Sequence, residues 1–290
     1  MSLYEKGWST GEVSLANLAK GKIPKSEQVE FSLDTLSEKL SLGGWPSLLG
    51  AGASKALRFM QEYVSLLVEI DISRVAGKKR DPRRVKRLLQ SLARNISTEA
   101  SVTSLAKDTA GSGIMIGDET ITEYLEVLER LMVLEQLPAW SPHIRSADTL
   151  RKAPKHHFVD PSLAIGALGL SIDKLLSDLN YLGFLFESLV IRDLRIYAEV
   201  HDGKVYHYRD SRNFEVDAIV EYPDNTWAAF EVKMGFNAQD EAAANLLKFT
   251  QKIDREKMGE PVSLTVISAN GFACRRKDGV NVVPLAVLTA

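Results

Sequence analysis

The chain has 290 residues, 45% of them hydrophobic and 26% charged, with a formal net charge of −2. That length suits about two domains of ordinary globular composition, and near-neutrality excludes a global attraction to nucleic acid while leaving a local one open. Its one cysteine, Cys274, excludes a disulfide framework and a cysteine-based zinc site within one chain; with no signal peptide and no apolar run long enough to span a bilayer, a soluble cytoplasmic protein with no membrane partner is expected.

In chain order, residues 1–45 are polar and broken by Gly and Pro, with a short helix expected from Leu33 to Leu40, ending at Gly43-Gly44. From Ala53 to Leu92, apolar residues such as Leu57, Met60, Val64 and Leu67 recur at helical spacing. Asp81-Pro82 predicts an N-cap with proline at the first helical position. Around it runs a basic cluster: Arg74, Lys78, Lys79, Arg80, Arg83, Arg84, Lys86 and Arg87. That cluster suits the grip of a nucleic-acid backbone, a docking surface for an acidic partner, or a solvated helix face. Ser101 to Thr109 predicts another short helix. Thr120-Ile121-Thr122-Glu123 predicts a capping box opening a longer one, and Val133–Leu137 has strand character. Two short helices, a longer helix and a strand fit a winged helix-turn-helix or a plain helical bundle.

A boundary is expected within residues 141–155. Beyond it the pattern predicts a long helix from about Ile172 to Ala198, interrupted near Asn180. Strands follow at Val205–Arg209, Phe214–Val220 and Trp227–Lys233, then a helix from Asp240 to Asp254 and strands at Val262–Ser268 and Val280–Val283. The fold class is α/β (α+β): N-terminal helices followed by a mixed sheet in the order αβββαβ. No Gly-Lys pair is followed by Ser or Thr, so ATP binding through a Walker motif is not expected.

Phe214-Glu215-Val216-Asp217 and Glu231-Val232-Lys233 lie on successive strands across Tyr222-Pro223-Asp224-Asn225-Thr226, where Asp224-Asn225 is turn chemistry. Residues two apart on a strand share a face, which places Glu231 and Lys233 about 7 Å apart along it. Two carboxylates can hold a divalent metal, and an ammonium beside them can orient a water; phosphodiester hydrolysis needs that set. The alternative is an ion-paired cluster in which Lys233 satisfies Glu231 and Glu187 without metal. Glu187 lies in the apolar stretch Phe184–Val190, so its carboxylate needs a metal, a lysine or a backbone donor. Arg209 and Arg212 flank the turn before Asp217 and suit phosphate contact or pairing with Asp210. His156-His157 and Trp227 are expected to be structural, since adjacent strand residues face opposite ways and Trp227 fits a core position.

The element order, with Asp217 on the second strand and Glu231-x-Lys233 on the third, resembles the restriction-endonuclease-like fold with its PD-(D/E)xK signature, Val216 standing where that signature has proline. The resemblance implies Mg²⁺ or Mn²⁺ held by Asp217 and Glu231, with Lys233 and Glu187 as catalytic residues. Met1–Gly7 with Ser9–Leu15, Gly43-Gly44-Trp45-Pro46, Thr122–Glu129, Lys155–Pro161, Phe186–Val190, Tyr208-Arg209 and both acidic motifs also resemble, in order, the C-terminal part of a prokaryotic AAA+-type ATPase family. This implies three regions: residues 1–45, a linker or remnant of the ATPase domain; 46–150, helical and winged-helix; 151–290, nuclease-like. The family's P-loop half is missing, so its ATP-driven function does not carry over. The expected functions are a metal-dependent nuclease, a non-catalytic module binding DNA or a protein partner, or a regulatory fragment whose ATPase domain supplies the activity. Lys78, Lys79, Arg80, Arg83, Arg84 and Arg209 are the candidate nucleic-acid contacts.

Overall fold

A computed structural model describes residues 1–71, 81–111, 116–141 and 153–290. The expected boundary around residues 141–155 therefore lies largely outside the described residues, as do Arg74, Lys78, Lys79 and Arg80. The architecture is α+β, with N-terminal helices and a C-terminal mixed sheet. The chain forms two compact units: residues 37–137 with 153–188, and residues 1–36 with 138–152 and 189–290.

The first unit is helical. It holds α1 (Leu33–Leu42) from Ser37 onward, with α2 (Ala53–Leu66), α3 (Pro82–Arg94), α4 (Val102–Ala110) and α5 (Asp118–Arg130). Asp81 caps α3 as expected: its side chain accepts from the Arg83 N–H, and Pro82 occupies the first turn. Val85, Leu88, Leu89 and Leu92 bury the opposite face of that helix from its basic residues. Ser101 caps α4. The capping box expected at Thr120–Glu123 is not formed. Helix α5 begins earlier, at Asp118 after Gly117, which offers no side-chain cap. Asp118 and Glu119 instead bring two carboxylates to the first turn, where exposed N–H groups favour negative charge.

Strand β1 (Leu134–Leu137) follows α5 and pairs antiparallel with β2 (Lys155–Phe158), from Leu134↔Phe158 to Leu137↔Lys155. Asp160 then caps α6 (Pro161–Leu168) through the Ser162 N–H, and its other oxygen accepts from Gly44 N–H at 2.7 Å. Helices α7 (Ile172–Leu176) and α8 (Leu179–Glu199) are separate, the break falling at Ser177-Asp178; Asp178 accepts from the Tyr181 N–H and starts the new helix.

The second unit is built on a six-stranded sheet. In chain order its strands are β3 (Lys204–Arg209), β4 (Glu215–Glu221), β5 (Trp227–Lys233), β6 (Ser263–Ser268), β7 (Cys274–Arg275) and β8 (Asn281–Pro284), and their spatial order is β3-β4-β5-β6-β8-β7. The first three run antiparallel, as short loops allow. Strands β5, β6 and β8 run parallel, β5 reaching β6 through the crossover helix α9 (Gln239–Lys252). Trp227 and Ala229 of β5, Val216 and Ile219 of β4, and Ala242, Leu246 and Phe249 of α9 share one core. Trp227 is 1% exposed and donates its indole N–H to Met258 O, in keeping with a core position. Val13–Ser14 also pairs parallel with Leu288–Thr289 in this unit.

Candidate metal and acid cluster

Two local irregularities make a pocket in the sheet. Between Tyr206↔Ile219 and Tyr208↔Val216 the β3–β4 register shifts, a two-residue step on one strand meeting a three-residue step on the other. Asp217 and Ala218 lie within this bulge, a device that re-aims side chains. The β4–β5 ladder also ends at Ala218↔Phe230, whereas β5 stays paired with β6 as far as Lys233↔Ser268. Past Phe230 the two antiparallel strands therefore part. The freed Val232 N–H is taken by Asp217 Oδ2 at 2.8 Å.

Asp217, Glu231 and Lys233 come together in a cavity of about 520 Å³ roofed by α9. Lys233 Nζ lies 3.2 Å from Glu231 Oε2 and 3.7 Å from Asp217 Oδ2. The other Glu231 oxygen, Oε1, accepts from Asn245 Nδ2 at 2.7 Å, and the same amide donates to the Glu215 carbonyl at 2.8 Å. Asn245 was not singled out in the sequence. Its one local signal is spacing along α9, where Glu241, Asn245 and Lys248 recur at i, i+4 and i+7 and all line the cavity.

Electrostatics follow from this crowding. Burial pushes the Glu231 carboxyl up to about 8, and the Asp217 charge adds to the rise, against the opposing pull of Lys233 and Asn245. The cavity is lined by Glu215, Asp217, Glu231 and Glu241 against Lys233 and Lys248. Once Glu231 has released its proton, the lining acids outnumber the lining lysines by two, four against two, which repels a bare phosphate and favours a cation. Oxygen donors, two of them buried carboxylates, suit a hard divalent ion such as Mg²⁺, which takes one or two carboxylates and fills its shell with water and phosphate oxygens. No group of three or more His, Cys, Asp and Glu side chains converges in metal-binding fashion among the described residues.

Glu187 belongs to the helical unit and does not line this cavity. Its carboxylate meets a lysine: Lys155 Nζ donates to Oε1 at 3.1 Å, the two side chains being 5% and 13% exposed. His156 and His157 are buried on β2; His157 Nδ1 lies 3.2 Å from Ser188 Oγ, and burial lowers the pKa of His156. Arg209 is engaged at the turn, bound to Glu215 at 3.0 Å and to the Asn213 side chain at 2.9 Å. Asp210 binds not the Arg212 side chain but the backbone N–H groups of Arg212 and Phe214, together with Lys252. Burial would raise the Asp210 pKa, yet these donors hold it down at about 2. In the helical unit Arg83 is exposed, Arg84 lies 3.8 Å from Asp81, and Arg87 donates to the Ala110 carbonyl.

Residues 33–174 match a domain of unknown function, DUF8612, and residues 182–288 match another, DUF4143. The interval between the two matches spans the break between α7 and α8. No curated protein and no solved structure matches the chain. No helix among the described residues is long and apolar enough to cross a membrane.

Proposed function

We propose that the sheet unit is a restriction-endonuclease-like domain and that its cavity is a Mg²⁺- or Mn²⁺-dependent phosphodiesterase site acting on nucleic acid. The observation that carries this is the convergence of Asp217, Glu231 and Lys233 where two strands part beneath α9. Asp217 and Glu231 would hold the metal, which when bound polarises a phosphate oxygen and lowers the pKa of a bound water. Asp217 is aimed by the Val232 N–H and Glu231 by Asn245. Lys233, 34% exposed, reaches both the carboxylates and solvent, so its ammonium can hold the attacking water and offset charge that develops on the phosphate. Helices α3, α4 and α5 followed by the β1–β2 pair supply the element order of a winged helix, with Arg83 and Arg84 on its basic face. On this reading the chain is the DNA- or partner-facing part of an AAA+-type ATPase relative.

One contact favours a second reading. Lys233 already stands as counter-ion to both carboxylates, as a non-catalytic partner-binding module would have it. Incubation with plasmid and single-stranded oligonucleotides in Mn²⁺, against EDTA, separates the two. Expected is metal-dependent cleavage that falls at least about a hundredfold in Asp217→Ala, the scale of losing a group that stabilises transition-state charge. No cleavage, or cleavage unchanged in that variant, leaves the ion-paired module.

A further inference from the structure

Asn245 is the polar side chain that ties the helix to both parts of the disrupted ladder. Its amide nitrogen has two protons, and both are used: one on the main-chain carbonyl of Glu215 at the bulged end of β4, the other on Glu231 Oε1 of β5. Because β4 and β5 no longer pair beyond Ala218↔Phe230, the carbonyl needs a donor from elsewhere, and α9 provides it. The same amide leaves Glu231 with one oxygen held and the other, Oε2, turned toward Lys233 and the cavity. Val232 N–H does the corresponding work for Asp217. An apolar residue at position 245 would leave both the strand end and the acid without that donor. Alanine, already present at 242, 243 and 244, would keep the helix.

We infer that Asn245 is a positioning residue for the metal site: it fixes the orientation of Glu231 and the separation of β4 from β5, and so the geometry in which Asp217 and Glu231 present their oxygens to a divalent cation. This rests on the metal reading given above. Groups that orient a metal-bound side chain typically change metal affinity about 10–100-fold when removed, whereas a purely structural bond changes stability and leaves the affinity of the folded protein alone.

The experiment is titration of Mn²⁺ into the full chain by calorimetry, with thermal unfolding in EDTA run in parallel. The unaltered chain is expected to bind Mn²⁺ at a site abolished by Asp217→Ala. Asn245→Ala is expected to weaken that binding about 10–100-fold, and Asn245→Gln, which keeps the amide, to recover part of it. Should Asn245→Ala fail to fold, Asn245→Leu, close to asparagine in shape but without a donor, gives the same measurement. Unchanged Mn²⁺ affinity in a folded donor-less variant overturns the positioning role and spares the metal site. Absence of Asp217-dependent Mn²⁺ binding in the unaltered chain overturns both.

Discussion

Glu231 shows how a single side chain registers its surroundings. Burial, reinforced by the nearby Asp217 charge, makes the folded state favour a proton on this carboxyl up to about pH 8, against an ordinary value of 4.5. Between those values the folded chain keeps a proton that the unfolded chain has released. Without divalent ion, this group's contribution is therefore complete below about pH 4.5 and is lost as pH rises through about 8. Denaturant unfolding in EDTA across that range should show stability falling with pH, and Glu231→Gln should flatten the decline. Adding Mn²⁺ should oppose it most at the alkaline end, where the carboxylate no longer has to lose its proton to bind. A decline of equal slope in Glu231→Gln would place its origin elsewhere. Glu187 makes the complementary case: the sequence required a partner for a carboxylate in an apolar stretch, and the partner is Lys155. Nothing in the spacing of residues 155 and 187 distinguished lysine from metal or backbone.

Among the elements, the turn after α1 joins local and distant chemistry. Gly43 has a φ of +58°, a region that costs an L-residue roughly 1–2 kcal/mol. A Cβ there would also press on Asp160 Oδ1 and Ser162 Oγ, the side chains that cap α6 and receive the Trp45 indole N–H. Gly50 has a similar φ of +73° with open space around it. Gly43→Ala should thus destabilise by more than about 2 kcal/mol, and Gly50→Ala by only the backbone strain of roughly 1–2 kcal/mol. Equal losses in thermal or denaturant unfolding would mean that Asp160 gives way freely. The strands were the most legible elements. The strand expected at Trp227–Lys233 has the same bounds, as β5, in the structure. The start of α5 was not legible, because a Thr-x-x-Glu phrase inside a helix looks the same as one that opens it.

At the scale of the molecule, a net charge of −2 makes any nucleic-acid affinity local. The cavity lining holds more acids than lysines, so on the proposed reading strand binding without metal falls to basic residues outside it, among which Arg83 and Arg84 of α3 are the described candidates. Binding of a fluorescent duplex across a salt series should show log K falling linearly with log salt. Arg83→Ala with Arg84→Ala should make that slope shallower by about one for each phosphate contact removed. A slope unaltered by the pair would assign α3 to a solvated face or a protein contact.

The order of the main helices and strands, the Asp81 cap, the burial of Trp227 and the shared face of Glu231 and Lys233 were all determined by the sequence, since each follows from the periods of helix and strand or from chemistry within a few residues. Tertiary structure decided the rest. It placed Asn245 against Glu215 and Glu231, Lys155 against Glu187, and residues 153–188 with the preceding helices. The physical reason is that a bulge, a ladder that stops short and a buried ion pair are settled by how distant backbone and side-chain groups satisfy one another, and local periodicity carries no record of those partners.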